Sequence, residues 1–156
     1  FLPARFAIAK KISKEDRAEL MSVKRQLEKE PTEGIDLKYS RGALLDIEFN
    51  CQWALLNRQL FSPDTSTLGM IVCLAREIPA WASHSTKLST NYLCLRQLEQ
   101  IRQLISSTPG SNLNINQPSM DKIARLLETN PSSLMNSILI LLTENQQIFK
   151  SLDPLG

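Results

Sequence analysis

The sequence predicts an all-α protein, a helical bundle of about six helices, and three observations predict it. Apolar residues recur at intervals of three and four, no stretch alternates with the period of a strand, and Pro, Gly and polar clusters cut the chain into pieces of helical length. The 156 residues suffice for one domain with a real core, and 42% hydrophobic with 22% charged residues is an ordinary globular composition. A net charge of +2 announces neither a nucleic-acid surface nor an anionic-membrane surface. The longest apolar run, "SLMNSILILLT", falls short of the roughly 18 residues a membrane span needs and is broken by Asn136. The expected location is the cytoplasm.

Residues 1–13 form a leading segment without a clear assignment. "FLPARFAIAKK" lacks the order of a signal peptide, because Arg5 sits where the apolar stretch should run. The opening Phe1, in place of Met, suggests a piece of a longer protein or a processed product. A single all-helical domain is expected over 14–152.

Its first helix opens at a capping box, Ser13 with Asp16 three residues on. Leu20, Val23 and Leu27 make the apolar stripe, and Pro31 with Gly34 ends it. After the loop "PTEGIDLKYSRG" a long helix runs from about Ala43 to Phe61. A shorter one follows from about Leu68 to Ile78, stopped by Pro79, then a long one from about Thr86 to Ser106. "STPGSNLNINQPS" reads as a polar linker. Two last helices, about Met120 to Glu128 and Ser132 to Leu152, are divided by "TNP".

The Ala43–Phe61 helix is apolar on two sides, which predicts the middle of the bundle. Leu44, Ile47, Cys51, Ala54 and Leu55 share one face; Leu45, Phe49, Trp53, Leu56 and Leu60 share another. Asp46 and Glu48 lie two residues apart, so at about 100° per residue they point some 160° away from each other. They cannot share one metal ion or one proton. Asp46, near the helix start, suits the free amides and positive helix end. Glu48 is expected to point inward, where Arg96 could answer its charge.

Cys51, Cys73 and Cys94 are expected as buried, reduced thiols, being odd in number and widely spaced. His84 reads as a surface loop residue, with no second base to complete a catalytic pair.

Two stretches carry a resemblance. "DLKYSRGALLDIEFNCQ" resembles the signature Lys-x-x-x-Gly-Gly-x-x-Asp-Ile-Glu-Phe-x-x-Gln of the glutamine synthetase adenylyltransferase family. Lys38, Gly42, Asp46, Ile47, Glu48, Phe49 and Gln52 match, and Ala43 stands at the second Gly. "YLCLRQLEQIRQLI" is similar to the family's Tyr-x-x-Leu-Arg-x-x-Glu helix, through Tyr92, Leu95, Arg96 and Glu99. The likeness spans about 14–152.

The resemblance implies the all-helical domain that follows a nucleotidyltransferase domain in this family and in the related uridylyltransferase of the PII signalling protein. The catalytic domain would bring Gly-Ser and Asp-x-Asp, the latter holding magnesium. Here the only Gly-Ser is Gly110-Ser111 in the linker, and Asp-x-Asp is absent from the sequence. The chain is therefore expected to hold no catalytic and no metal-ligating residue. Magnesium and ATP would belong to the full-length enzyme, whose adenylyl transfer or removal serves nitrogen regulation. The implied partners are a nucleotidyltransferase domain in cis, and glutamine synthetase or PII; neither nucleic acid nor membrane is implied.

Lys38, Arg41, Gly42 and Asp46 are expected at a nucleotide or domain interface, since the basic loop sits at a helix N-terminus, where anions are favoured. Glu48, Gln52, Arg96 and Glu99 are expected in a structural polar network. Ala43 weakens nucleotide contact if the second Gly serves positive φ or close approach, and improves the helix if that Gly merely opens it. A free-standing helical adaptor, receiving a partner helix in a groove, is the alternative. A DNA-reading helix-turn-helix over 120–138 is disfavoured, because Ser132–Thr143 contains no Lys or Arg.

Overall fold

The structure, a computed structural model, describes residues 12–28 and 33–152. Residues 1–11 of the leading segment, and the Pro31 expected to close the first helix, lie outside the described residues.

The chain is an all-α bundle, with seven helices and one two-stranded pairing among the described residues. Helix α1, Lys14–Leu27, starts as expected: Ser13 Oγ accepts from the Asp16 amide at 3.0 Å, and the Asp16 carboxylate accepts from the Ser13 amide at 3.2 Å. Its expected apolar stripe does not enter the core. Val23 is 45% and Leu27 42% exposed, and α1 buries no residue. The helix rests on its neighbour through charged side chains instead. Lys24 Nζ lies 2.9 Å from Asp46, and the Arg17 guanidinium sits 5.6 Å over the Trp53 ring. Contacts of these kinds contribute about 1 kcal/mol or less each. A fully buried Leu or Ile contributes about 1.5–3 kcal/mol, so α1 is the least firmly anchored of the long helices.

Helix α2, Leu44–Asn57, is the opposite case, burying eight residues that include Ile47, Cys51, Trp53 and Leu55. It is central, as its two apolar faces require, but ends four residues before Phe61. Gln59 takes a left-handed conformation, φ 53°, without the glycine that usually marks such an end. The Leu60 amide then donates to the Leu55 carbonyl at 2.9 Å and the Gln59 amide to Leu56 at 3.1 Å, closing the helix.

Helix α3, Thr67–Glu77, is capped by Ser66. The one-turn α4, Pro79–Ala82, was not expected; Pro79 both stops α3 and opens α4, which buries Trp81 against Phe149. Helix α5, Ser85–Ile105, buries Leu88, Asn91, Leu95, Leu98 and Arg102 at steps of three and four. Helices α6, Met120–Leu126, and α7, Pro131–Leu152, follow. Cys51 and Cys73 are buried, but Cys94 is exposed, because it lies off the buried stripe of α5.

The unforeseen feature is a pairing of the two loops read as irregular. β1, Ile35–Asp36, runs antiparallel to β2, Asn112–Leu113, with Ile35 opposite Leu113 and Asp36 opposite Asn112. Two-residue strands are too short to leave an alternating pattern. The pairing is held from beneath by Arg102, only 2% exposed, whose guanidinium donates to the carbonyls of Asn112 (2.5 Å), Thr108 (3.4 Å) and Gly110.

Candidate functional site

The stretch from Asp36 to Asp46 is built by local hydrogen bonds and then bolted to α7. Asp36 Oδ1 accepts from the amides of Lys38 and Tyr39, both at 2.9 Å, and from Ser111 Oγ at 2.6 Å. This carboxylate turns the chain and ties it to the second loop. The chain then folds over the start of α2. The Leu44 and Leu45 amides donate to the carbonyls of Leu37 and Lys38 at 3.2 and 3.0 Å. Those amides would have made the helix start an anion site, and loop carbonyls already occupy them. This removes the physical reason for placing a nucleotide phosphate there.

Asp46 works at the same end from its third position in the helix. Its Oδ2 accepts from the Gly42 amide at 2.7 Å, and its Oδ1 from Asn50 Nδ2 at 3.0 Å and Lys24 Nζ at 2.9 Å. Burial works against the Lys24 charge, but the hydrogen bonds and charges of Glu28 and Asp46 outweigh it, and the Lys24 pKa is raised above 10.5. Gly42 has φ 78°, and a Cβ there would overlap the Leu142 carbonyl oxygen. Its own carbonyl accepts from Asn145 Nδ2 at 2.7 Å, and Asn145 Oδ1 accepts from Asn91 Nδ2 at 2.9 Å. Gln146 Nε2 donates to the Arg41 carbonyl at 3.1 Å. A polar chain thus crosses the bundle from Lys24 through Asp46 and Gly42 to Asn145 and Asn91.

The expected interface residues part company. Arg41, Gly42 and Asp46 stay together beside a cleft of about 680 Å³ between α1, the start of α2 and the end of α7. Lys38 turns the other way, into a groove of about 450 Å³ that Arg102 and the Ser106–Ser111 loop share. The reason is local: Lys38 and Arg41 sit on opposite sides of the turn that Asp36 and Gly42 create.

The expected polar network also divides. Tyr92 Oη donates to Glu48 Oε1 at 3.2 Å, and burial, with the Glu48 charge adding, raises the Tyr92 pKa against the opposing effects of Thr67 and Arg96. Glu48 is only half-buried, and Arg96 pairs with Glu99 at 3.0 Å rather than with Glu48. The three-residue step on one helix face favours the Arg96–Glu99 contact. Gln52 is exposed and stands outside the network. Of the two acids on α2 the buried one is Asp46, where sequence reasoning placed Glu48, and on α5 Glu99 is buried as well.

Ala43 is fully buried, with φ −82° and ψ −170°, ordinary extended backbone at the helix entrance. The position needs neither positive φ nor open space, so Ala there opens the helix without strain. The two Asn residues at the middle of the network escaped the sequence reading. Their signal was present: Asn91 and Asn145 interrupt the buried stripes Leu88–Leu95 and Leu142–Phe149 at helical spacing.

The cleft is strongly basic. Lys14, Arg17, Lys24, Arg25, Arg41 and Lys150 line it against Glu28 and Asp46 alone. Magnesium does not fit these acids. Asp46 has donors on both oxygens, Glu28 meets Lys24 at 2.7 Å and Arg41 at 3.5 Å, and no cluster of three metal-ligating side chains occurs among the described residues. His84 Nε2 lies 3.3 Å from Ser151 Oγ, joining the start of α5 to the end of α7. No helix of the described residues is long and apolar enough to cross a membrane.

No known family model matches the chain, and no curated protein resembles it significantly. The likeness to the adenylyltransferase family rests on the two motifs alone.

Proposed function

We propose that this chain is the non-catalytic helical module of a nucleotidyltransferase of the glutamine synthetase adenylyltransferase type. In this reading it supports adenylyl transfer or removal by a domain that carries the magnesium carboxylates and binds ATP. One observation carries the reading. The two stretches that resemble the family, 44 residues apart at their contact, meet in the fold: Tyr92 of the second donates to Glu48 of the first. Other matched residues also have definite work. Gly42 fills a position no other residue fits, Asp46 holds the Gly42 amide, and Arg96 pairs with Glu99. A motif whose members secure one turn and one helix contact is what a scaffold needs for presenting a surface to a catalytic domain.

The test is the complete product of the reading frame that encodes this chain. It should carry a Gly-Ser and Asp-x-Asp domain and transfer AMP from labelled ATP to glutamine synthetase, or a nucleotide to PII, in a magnesium-dependent reaction. The chain by itself should transfer nothing. A reading frame without such a domain, or transfer by this chain alone, rejects the proposal.

A further inference from the structure

The basic cleft has a chemistry of its own, and its geometry selects among anions. It gathers six cations against two carboxylates, while the whole chain carries a net charge of only +2. The excess is therefore local to this face. Lys24 is committed to Asp46 and Glu28. Lys14, Arg25 and Lys150 are exposed, and none of the three pairs with a carboxylate among the described residues.

The charge is spread out rather than focused. Lys14, Arg17, Met21, Lys24 and Glu28 follow at steps of three and four along α1, so a whole helix face of about 20 Å lines the cleft. A compact phosphate group needs donors converging on one point, usually backbone amides. At the start of α2 such amides are already taken: the Gly42 amide is held by Asp46, and the Leu44 and Leu45 amides by loop carbonyls. An extended chain rises about 3.3 Å per residue, so roughly six residues would run the length of α1. Ala18, Met21 and Phe149 add an apolar part to the lining that suits one aliphatic side chain. No residue of α1 is fully buried, and the helix stands as one wall of the cleft.

We propose that this cleft binds an extended acidic segment of a partner protein, with its carboxylates spaced along the α1 wall and an apolar side chain against Met21 and Phe149. The inference does not depend on membership of a nucleotidyltransferase. Charge complementarity selects the segment's chemistry, and the linear spread of the cations selects its extended form.

The test is fluorescence anisotropy of a labelled peptide of about eight residues, rich in Asp and Glu around one Leu, titrated with the full chain. Binding should weaken about tenfold or more in the triple variant K14E/R25E/K150E, since each position loses an attraction and gains a repulsion. It should weaken as salt rises, because the contacts are exposed. A control triple, R58E/K122E/R125E, makes the same charge change at exposed positions outside the cleft and should bind within about twofold of the parent. Circular dichroism should show both triples folded, as all six side chains are exposed. Lys150→Gln with Arg25→Gln, a milder change, should weaken binding by a smaller factor in the same direction. Equal weakening by both triples overturns the proposal in favour of general charge attraction. So does absence of binding by the parent chain. Inorganic triphosphate displacing the peptide at far lower concentration, with the same dependence on Lys14, Arg25 and Lys150, overturns it in favour of a phosphate ligand.

Discussion

Asp46→Asn separates the two acids of the central helix. The substitution keeps the shape of the side chain, removes its charge and replaces one acceptor oxygen with an NH₂ group. That group must face either the Gly42 amide, now 2.7 Å from Oδ2, or Lys24 and Asn50, now 2.9 and 3.0 Å from Oδ1. Both directions set donor against donor. A hydrogen bond to a charged group contributes roughly 1.5–3 kcal/mol. Weakening the Lys24 pair adds up to about 1 kcal/mol, limited because Lys24 keeps some solvent contact. The expected loss is about 2–4 kcal/mol, which for a chain of this length lowers Tm by roughly 4–16 °C. Glu48→Gln serves as the comparison. Gln retains an oxygen that can accept from Tyr92, and the position is half-buried, so the loss should stay below about 1 kcal/mol. Urea denaturation followed by far-UV circular dichroism measures both. A loss at Glu48 equal to that at Asp46, or an Asp46→Asn protein within about 0.5 kcal/mol of the parent, would refute the assignment of the structural role to Asp46.

Gly42→Ala should cost about 2–5 kcal/mol, combining the left-handed backbone with overlap on the Leu142 carbonyl, whereas Ala43→Gly, which loses one buried methyl at the helix entrance, should cost only about 1 kcal/mol; chemical denaturation of the pair checks the order. A maleimide should label exposed Cys94 rapidly, and buried Cys51, whose pKa burial pushes far up with Glu48 adding, only at the rate of unfolding; mass spectrometry after brief labelling that finds Cys51 modified first would contradict this. The Lys24 pKa is raised on folding, so its contribution is complete below 10.5 and is lost as pH rises through the folded value. A Lys24→Met protein should therefore lack part of the alkaline loss of stability that the parent shows above pH 10.5, and superimposable pH profiles would exclude the contribution.

The sequence by itself determined the helices and the centrality of α2, because both follow from periodicity that any local window contains. Ile47, Cys51 and Ala54 on one side and Trp53 on the other require burial wherever the helix is placed. The same arithmetic separated Asp46 from Glu48. The Ser13–Asp16 cap was equally legible, since both partners lie three residues apart. What only the tertiary structure decided depends on partners distant in the chain. Gly42 is obligatory because α7 crosses it, 100 residues later, at Leu142 and Asn145. Asp46 is buried, and Val23 and Leu27 are exposed, because α1 docks by Lys24 rather than by its apolar stripe. The Leu44 and Leu45 amides at the start of α2 are taken because the preceding loop folds back and offers them the Leu37 and Lys38 carbonyls. The basic cleft exists because four basic residues of α1, Lys14, Arg17, Lys24 and Arg25, meet Arg41 and Lys150 from segments that local spacing cannot bring beside them. A helical period fixes which face of a segment is apolar; which face is covered, and by what, is set by the energies of packing whole elements against one another.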